Sequence, residues 1–178
     1  MIMDDSSKKW YALKVFFNRV FQIEEYMKQE GGECYVPTVF QEKVFNGKRT
    51  VVRKPAVASL MFVRVDDNFL LKLKDDWQGK MLVYYDIATH QSKPIPDEEM
   101  NAFIYITSKG FKEIDYIPED GTDYKTGEHV IVTGGQFEGA EGYIKRVKGD
   151  KRLIVAIEGV VAVATTYIPR CFLKKITD

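Results

Sequence analysis

Two histidines, two cysteines, several acidic pairs and two glycine-bearing turns are the features of this 178-residue chain that could carry chemistry. His90 and His129 are far apart, and neither has a cysteine nearby. Zinc needs three or four convergent ligands at recognisable spacing, so no metal site is expected. Cys34 and Cys171 form no CxxC, and neither sits in the local sequence of a nucleophile. There is no GxSxG elbow to expose a catalytic serine. Gly47-Lys48 is followed by Arg49 instead of Ser or Thr, and no upstream glycine completes a phosphate loop. The run Gly134 to Gly142 leads into a strand pattern, so no helix N-terminus is available to hold a phosphate. Asp66-Asp67, Asp75-Asp76 and Glu98-Glu99 read as solvated loop and helix-start residues. The chain is expected to have no catalytic residues and no cofactor, and to work by binding.

Cations are the other resource. Lys43, Lys48, Arg49, Arg53 and Lys54 cluster in one segment, and Lys145, Arg146, Lys148, Lys151 and Arg152 in another. Lys plus Arg nevertheless equals Asp plus Glu at 26 each. A protein that grips nucleic acid unaided draws most of its affinity from a basic excess, so any such contact here is local or helped by a partner. Hydrophobic residues make up 45% and aromatic residues 13%, enough for packed cores with rings left over for a surface. Two isolated cysteines point to a reducing compartment, and no apolar run spans a bilayer. The expected setting is cytoplasmic, without membrane contact, and residues 1–7 read as a frayed tail.

The elements that must carry these residues follow from periodicity and turn chemistry. Trp10–Phe17 is aromatic and β-branched, a buried strand. Asn18 can cap a helix over 19–30 with Val20, Ile23 and Met27 on one face, ended by Gly31-Gly32. Strand pattern from Glu33 breaks at Pro37 and runs to Phe45. Asn46-Gly47 is the hairpin turn, since both positions tolerate positive φ, and Lys48–Lys54 is the return arm. Further strands are Leu60–Val65 and Met81–Tyr85, with a short helix around Phe69–Leu73. Asp97 caps a helix with Met100, Phe103, Ile104 and Thr107 on its apolar stripe. Residues 111–126 are acidic and aperiodic, a linker. Five short strands follow, at His129–Thr133, Gly142–Lys148, Arg152–Glu158, Val160–Tyr167 and Phe172–Ile176. The expected architecture is an α+β domain over 8–110, with an antiparallel sheet and helices, then a small five-stranded SH3-like β-barrel over 127–178.

The ordered pieces resemble a known family. Trp10-Tyr11 opening a strand, a helix ending at a glycine pair, a hairpin, a strand containing Phe62-Val63, and Pro94-Ile95-Pro96-Asp97 together resemble the N-terminal domain of NusG. Gly127-Glu-His-Val130-Ile-Val132 with Gly134-Gly135-Gln-Phe137-Glu-Gly139-Ala-Glu-Gly142 resembles a KOW motif. The likeness runs from about Lys9 to Ile176. Gly47–Val52, followed by Pro55 and Phe62-Val63, is closer to the operon-specific RfaH-like branch than to the housekeeping protein.

The resemblance implies a transcription elongation or antitermination factor that promotes processive transcription of selected operons, such as those for surface polysaccharides. It implies docking on the clamp region of RNA polymerase through Val57, Leu60, Phe62 and Tyr84. Relatives carry a proline, a small residue and an aromatic before this strand, whereas Ala56–Met61 is aliphatic here. Filling the sheet core is the other role open to Phe62. The resemblance also implies contact of Arg19, Lys48 and Arg49 with the non-template DNA strand; a solvated, aggregation-resistant edge accounts equally for the hairpin charges. In the KOW domain Phe137, Val160 and Val161 are implied to meet a ribosomal protein or termination factor, against a core role suggested by the poor alternation of the valine run. The competing function is an RNA-binding or ribosome-associated KOW protein.

Overall fold

The computed structural model describes residues 7–118 and 122–177. Most of the expected tail, and residues 119–121 of the expected linker, lie outside the described residues. Contacts divide the chain into two units, Met1–Asp97 and Glu98–Asp178.

The first unit is built on an antiparallel sheet. Strand β1 (Lys9–Val15) is followed by helix α1 (Val20–Gln29), β2 (Glu33–Tyr35), β3 (Thr38–Phe45), β4 (Lys48–Pro55), β5 (Leu60–Val65), α2 (Asp67–Asp76), β6 (Met81–Val83) and β7 (Pro94–Ile95). The sheet order is β2-β5-β1-β6, and β7 resumes the same edge of β1 that β6 leaves. Strand side chains alternate faces. Tyr11, Leu13, Val15, Met61, Val63, Val65, Met81 and Val83 therefore share one face, and they join Val20, Ile23 and Met27 of α1 and Leu70 and Leu73 of α2 in one core.

Three local details differ from the sequence expectation. Asn18 does not cap α1: Arg19 occupies that place, with no side-chain cap bond. A capping side chain needs extended backbone beneath it, and Phe17 and Asn18 are instead both left-handed, at φ 59° and 53°. The strand read through Pro37 is two strands, because β2 pairs with β5 while β3 pairs with β4. The short second helix is longer than expected, and the Asp66 carboxylate caps it by accepting from the Phe69 N–H at 2.8 Å.

In the second unit, helix α3 (Asp97–Ser108) precedes β8 (Ile114–Pro118), β9 (Glu128–Val132), β10 (Glu141–Val147), β11 (Asp150–Ile157), β12 (Val161–Tyr167) and β13 (Leu173–Lys175). Asp97 is the first residue of α3, and the buried stripe is Met100, Phe103, Ile106 and Thr107, with Ile106 in place of Ile104. The strands form a six-stranded antiparallel sheet, β13-β9-β10-β11-β12-β8. The five expected strands are all present. The sixth, β8, comes from the segment read as linker, and it pairs along β12 from Thr165↔Ile114 to Val161↔Pro118. At a bulge in β11 the buried Thr165 hydroxyl accepts the Leu153 N–H at 3.2 Å and donates to the Thr166 carbonyl at 2.8 Å, so the Leu153 amide and the hydroxyl are both satisfied. α3 is tied to this sheet by Lys125, which bridges Glu99 and Glu158, and by the Tyr105 hydroxyl, which donates to the Glu138 carbonyl.

Candidate functional site

The hairpin β3–β4 is a two-stranded sheet of its own. Its turn is the two-residue Asn46-Gly47, both left-handed at φ 49° and 74°, as a type I′ hairpin demands. At the base, the Ala56 N–H donates to the Pro37 carbonyl at 2.7 Å. Arg53 fixes the ribbon to α1 with a bidentate pair to Glu24, at 2.7 and 2.8 Å, while its guanidinium lies 4.8 Å from the centre of the Phe21 ring. The Arg53 hydrogen bond holds the Glu24 carboxyl below its ordinary range, against the opposing effect of burial. Burial, with the Glu24 charge second, pushes the nearby Cys34 thiol up to about 11, which makes it a poor nucleophile.

Register divides the hairpin into two faces. The pairs Val39↔Lys54, Gln41↔Val52, Lys43↔Thr50 and Phe45↔Lys48 occupy one face, and Thr38↔Pro55, Phe40↔Arg53, Glu42↔Val51 and Val44↔Arg49 the other. Lys48 and Arg49, grouped by sequence as one nucleic-acid contact, are both exposed but point to opposite faces. Arg19 is half-buried at the start of α1, where its carbonyl accepts from the Gln22 and Ile23 N–H groups.

The residues implied in polymerase docking are only partly at the surface. Leu60 and Phe62 are 2% and 0% exposed, whereas Val57 and Tyr84 are half-buried. Phe62 pairs with Ala12, whose carbonyl accepts the Tyr84 N–H at 2.9 Å, so Phe62, Ala12 and Tyr84 form one row across the sheet. Leu60, Lys14 and Leu82 form the next row on the same face. Leu82 is exposed and was not singled out from sequence, although its place between the buried Met81 and Val83 gives it away. Val57 lies outside these rows, in the turn before β5.

Of the KOW residues, Phe137, Val160 and Val161 are all buried, and the Phe137 ring packs edge-on against Phe111 at 4.9 Å. In the basic β10–β11 hairpin, Lys145 is held by the Asp123 carbonyl and the Thr126 hydroxyl, and Arg152 by Asp115 at 2.8 Å. No group of three or more metal-ligating side chains occurs among the described residues. None of the described helices is long and apolar enough to cross a membrane.

A family model described as "Transcription termination factor nusG" matches residues 8–104, more than half of the chain. A solved structure described as "Domain interaction in Thermotoga maritima NusG" aligns with 98% of this chain and 100% of its own, at 17% identity and a TM-score of 0.44. The family match covers β1 to most of α3, and so includes both cross-sheet rows and the hairpin. The chain belongs to the NusG family of transcription factors and is not an enzyme.

Proposed function

We propose that this protein is a transcription elongation and antitermination factor that rides on RNA polymerase and acts on selected operons, surface-polysaccharide operons among them. The observation that carries the reading is the family match over 8–104. Polymerase, at its clamp region, is the partner of the face bearing Leu60, Phe62, Leu82 and Tyr84, with Val57 at its margin. Exposed Leu82 and half-buried Tyr84 supply the accessible apolar contacts, and a few such anchors provide most of the energy of an interface. The β3–β4 hairpin and Arg19 contact the non-template DNA strand, and the KOW sheet recruits a ribosomal protein or termination factor. Because Phe137, Val160 and Val161 are buried, their part in that recruitment is to shape the loops that meet the partner. The restriction to selected operons rests on the Gly47–Val52 segment and Pro55.

Co-purification with purified polymerase elongation complexes tests this reading. Binding to the complex, with longer transcripts through pause sites, is the expected result. Failure to bind polymerase, with tight binding to free RNA, would instead favour a ribosome-associated KOW protein. That alternative has less to work with, since Lys145 and Arg152 of the second basic cluster are already engaged within the protein.

A further inference from the structure

Strand β6 ends the path of the first unit's sheet, with β1 as its strand neighbour. The Phe16 N–H donates to the Lys80 carbonyl at 2.8 Å, and the Tyr84 N–H to the Ala12 carbonyl at 2.9 Å. Backbone groups of successive strand residues point to opposite edges. Lys80, Leu82 and Tyr84 therefore face β1, while Met81, Val83 and Tyr85 face away from it. The outward N–H and C=O groups of these three residues have no hydrogen-bond partner among the described residues. Beside them is a groove of about 610 Å³, lined by Lys74, Asp75 and Gln78 from α2 and the turn after it, and by Tyr85, His90 and Ser92.

Sheets ordinarily blunt such an edge with lysine, proline, a bulge or a cover. The run from Met81 to Tyr85 contains no charge and no proline, and the groove leaves it open. The loop that lines the groove is already ordered. The Asp86 carboxylate accepts from the Ala88 and Thr89 N–H groups at 2.9 Å each, and His90 stacks on Tyr85 with ring centres 6.1 Å apart. Unpaired donors and acceptors repeating at strand spacing match an extended polypeptide, which can bond to all of them; a helix has its backbone groups engaged internally. Charge narrows the occupant further. Lys74 is committed to the Ser92 hydroxyl at 2.8 Å, whereas Asp75 has no ion-pair partner among the described residues. A guest strand with a basic side chain complements this groove. A second copy offering its own β6 would bring a second Asp75, and like charges set opposite each other oppose pairing.

We propose that the outer edge of β6 is a β-augmentation site, where an extended segment of a partner protein, alternating apolar and basic residues, bonds to Met81, Val83 and Tyr85 and sets a cation against Asp75. An apolar guest residue beside Leu82 covers that exposed side chain. This goes beyond the polymerase docking proposed above, which uses side chains on the sheet face and leaves these backbone groups unused.

The test is amide-resolved nuclear magnetic resonance of the isotope-labelled full chain. In the free protein, exchange is fast at the Met81, Val83 and Tyr85 amides and slow at those of Leu82 and Tyr84. The probe is an end-blocked peptide of alternating valine and lysine, roughly seven residues long, which outspans residues 81–85 at ~3.4 Å per residue. Titration gives saturable shifts centred on the three outward amides and slows their exchange. N-methylation of the peptide at the amides facing β6 removes its donors and weakens binding about tenfold or more. Asp75→Asn, an exposed substitution outside the core, weakens binding about threefold, and a valine–glutamate peptide does not bind. Slow exchange of the three amides in the free protein, shifts centred elsewhere or absent, or unchanged affinity after N-methylation would overturn the proposal. Protection of the three amides that rises with protein concentration alone would assign the edge to a second copy and overturn it as well. Polymerase binding, measured separately, is independent of all these results.

Discussion

Arg53 of β4 clamps Glu24 of α1 through two hydrogen bonds of 2.7 and 2.8 Å, and so joins an otherwise free-standing ribbon to the core of the first unit. Glu24 is nearly buried and also receives Lys28 at 3.6 Å. A two-stranded ribbon has little stability of its own, so this pair sets the hairpin's direction relative to α1. Arg53→Ala is expected to cost about 1.5 kcal/mol, the lower end for hydrogen bonds to a charged group, because solvent reaches the arginine side. Urea unfolding measures that loss. Hydrogen exchange should be faster at the amides of β3 and β4 than in β1 or β5.

The same pair gives the hairpin an acid limit. Its hydrogen bond from Arg53 depresses the folded-state pKa of Glu24 below the ordinary value of 4.5. A depressed carboxylate stabilises the fold fully above its unfolded value, and that contribution disappears as pH falls through the folded value. Hairpin protection should therefore be flat from neutral pH to about 5 and decline below 4.5. Glu24→Gln should remove this dependence. Exchange rates of the β4 amides across a pH series, corrected for intrinsic rates, provide the measurement.

Much of this was legible in the sequence because it depends on short-range rules. Asn46-Gly47 fixed the turn, and the aromatic, β-branched run of β1 announced a buried strand. The turn and the period of two also suffice to separate Lys48 from Arg49, an inference available without coordinates. Other features depend on distant partners. Glu24 and Arg53 are 29 residues apart, and no local pattern couples them. β8 carries Asp115 and Tyr116 without clear alternation; it is a strand because β12 supplies its hydrogen bonds. The burial of Leu60 and Phe62 is likewise a tertiary result, since the same alternation would fit a half-exposed sheet.

Gly142 and Gly47 should respond differently to a methyl group. A Cβ on Gly142 would stand 2.2 Å from the Ile154 carbonyl oxygen, a backbone atom fixed in the β10–β11 ladder. Gly142→Ala is expected to cost on the order of 3 kcal/mol, as overpacking against an atom that cannot turn aside. Gly47 has open space around it but a φ of 74°. Gly47→Ala should cost about 1 kcal/mol from backbone strain alone, and Gly47→Asn less. Thermal unfolding of the three variants separates the two mechanisms.

Lys125 is the ionic link between α3 and the sheet of the second unit. Burial disfavours its charge, but the hydrogen bond and charge of Glu99, with Glu158 behind them, outweigh that and raise its pKa. Lys125→Ala leaves the mostly buried Glu99 without its cation. Exchange protection should fall at the N-terminal end of α3, while Tyr105, bonded to the Glu138 carbonyl, keeps the far end in place. Adding Tyr105→Phe should extend the loss along the helix. Mass-spectrometric exchange on peptides from 97–108 reads both effects.

Polymerase docking offers the sharpest separation between packing and contact. Phe62→Ala removes a fully buried ring and should lower stability by about 3–5 kcal/mol, so lost binding in that variant says little about an interface. Leu82 and Tyr84 share its sheet face but remain accessible. Leu82→Ala should change stability by less than about 0.5 kcal/mol, because its side chain is largely in solvent already. If the rows Leu60–Leu82 and Phe62–Tyr84 meet the clamp region, Leu82→Ala and Tyr84→Ala each weaken polymerase binding about tenfold, the loss of an apolar anchor. Anisotropy with labelled protein and purified polymerase measures this, with Leu71→Ala as the control, an exposed leucine on α2 away from both rows. Unchanged affinity in both variants would remove this sheet face from the docking footprint.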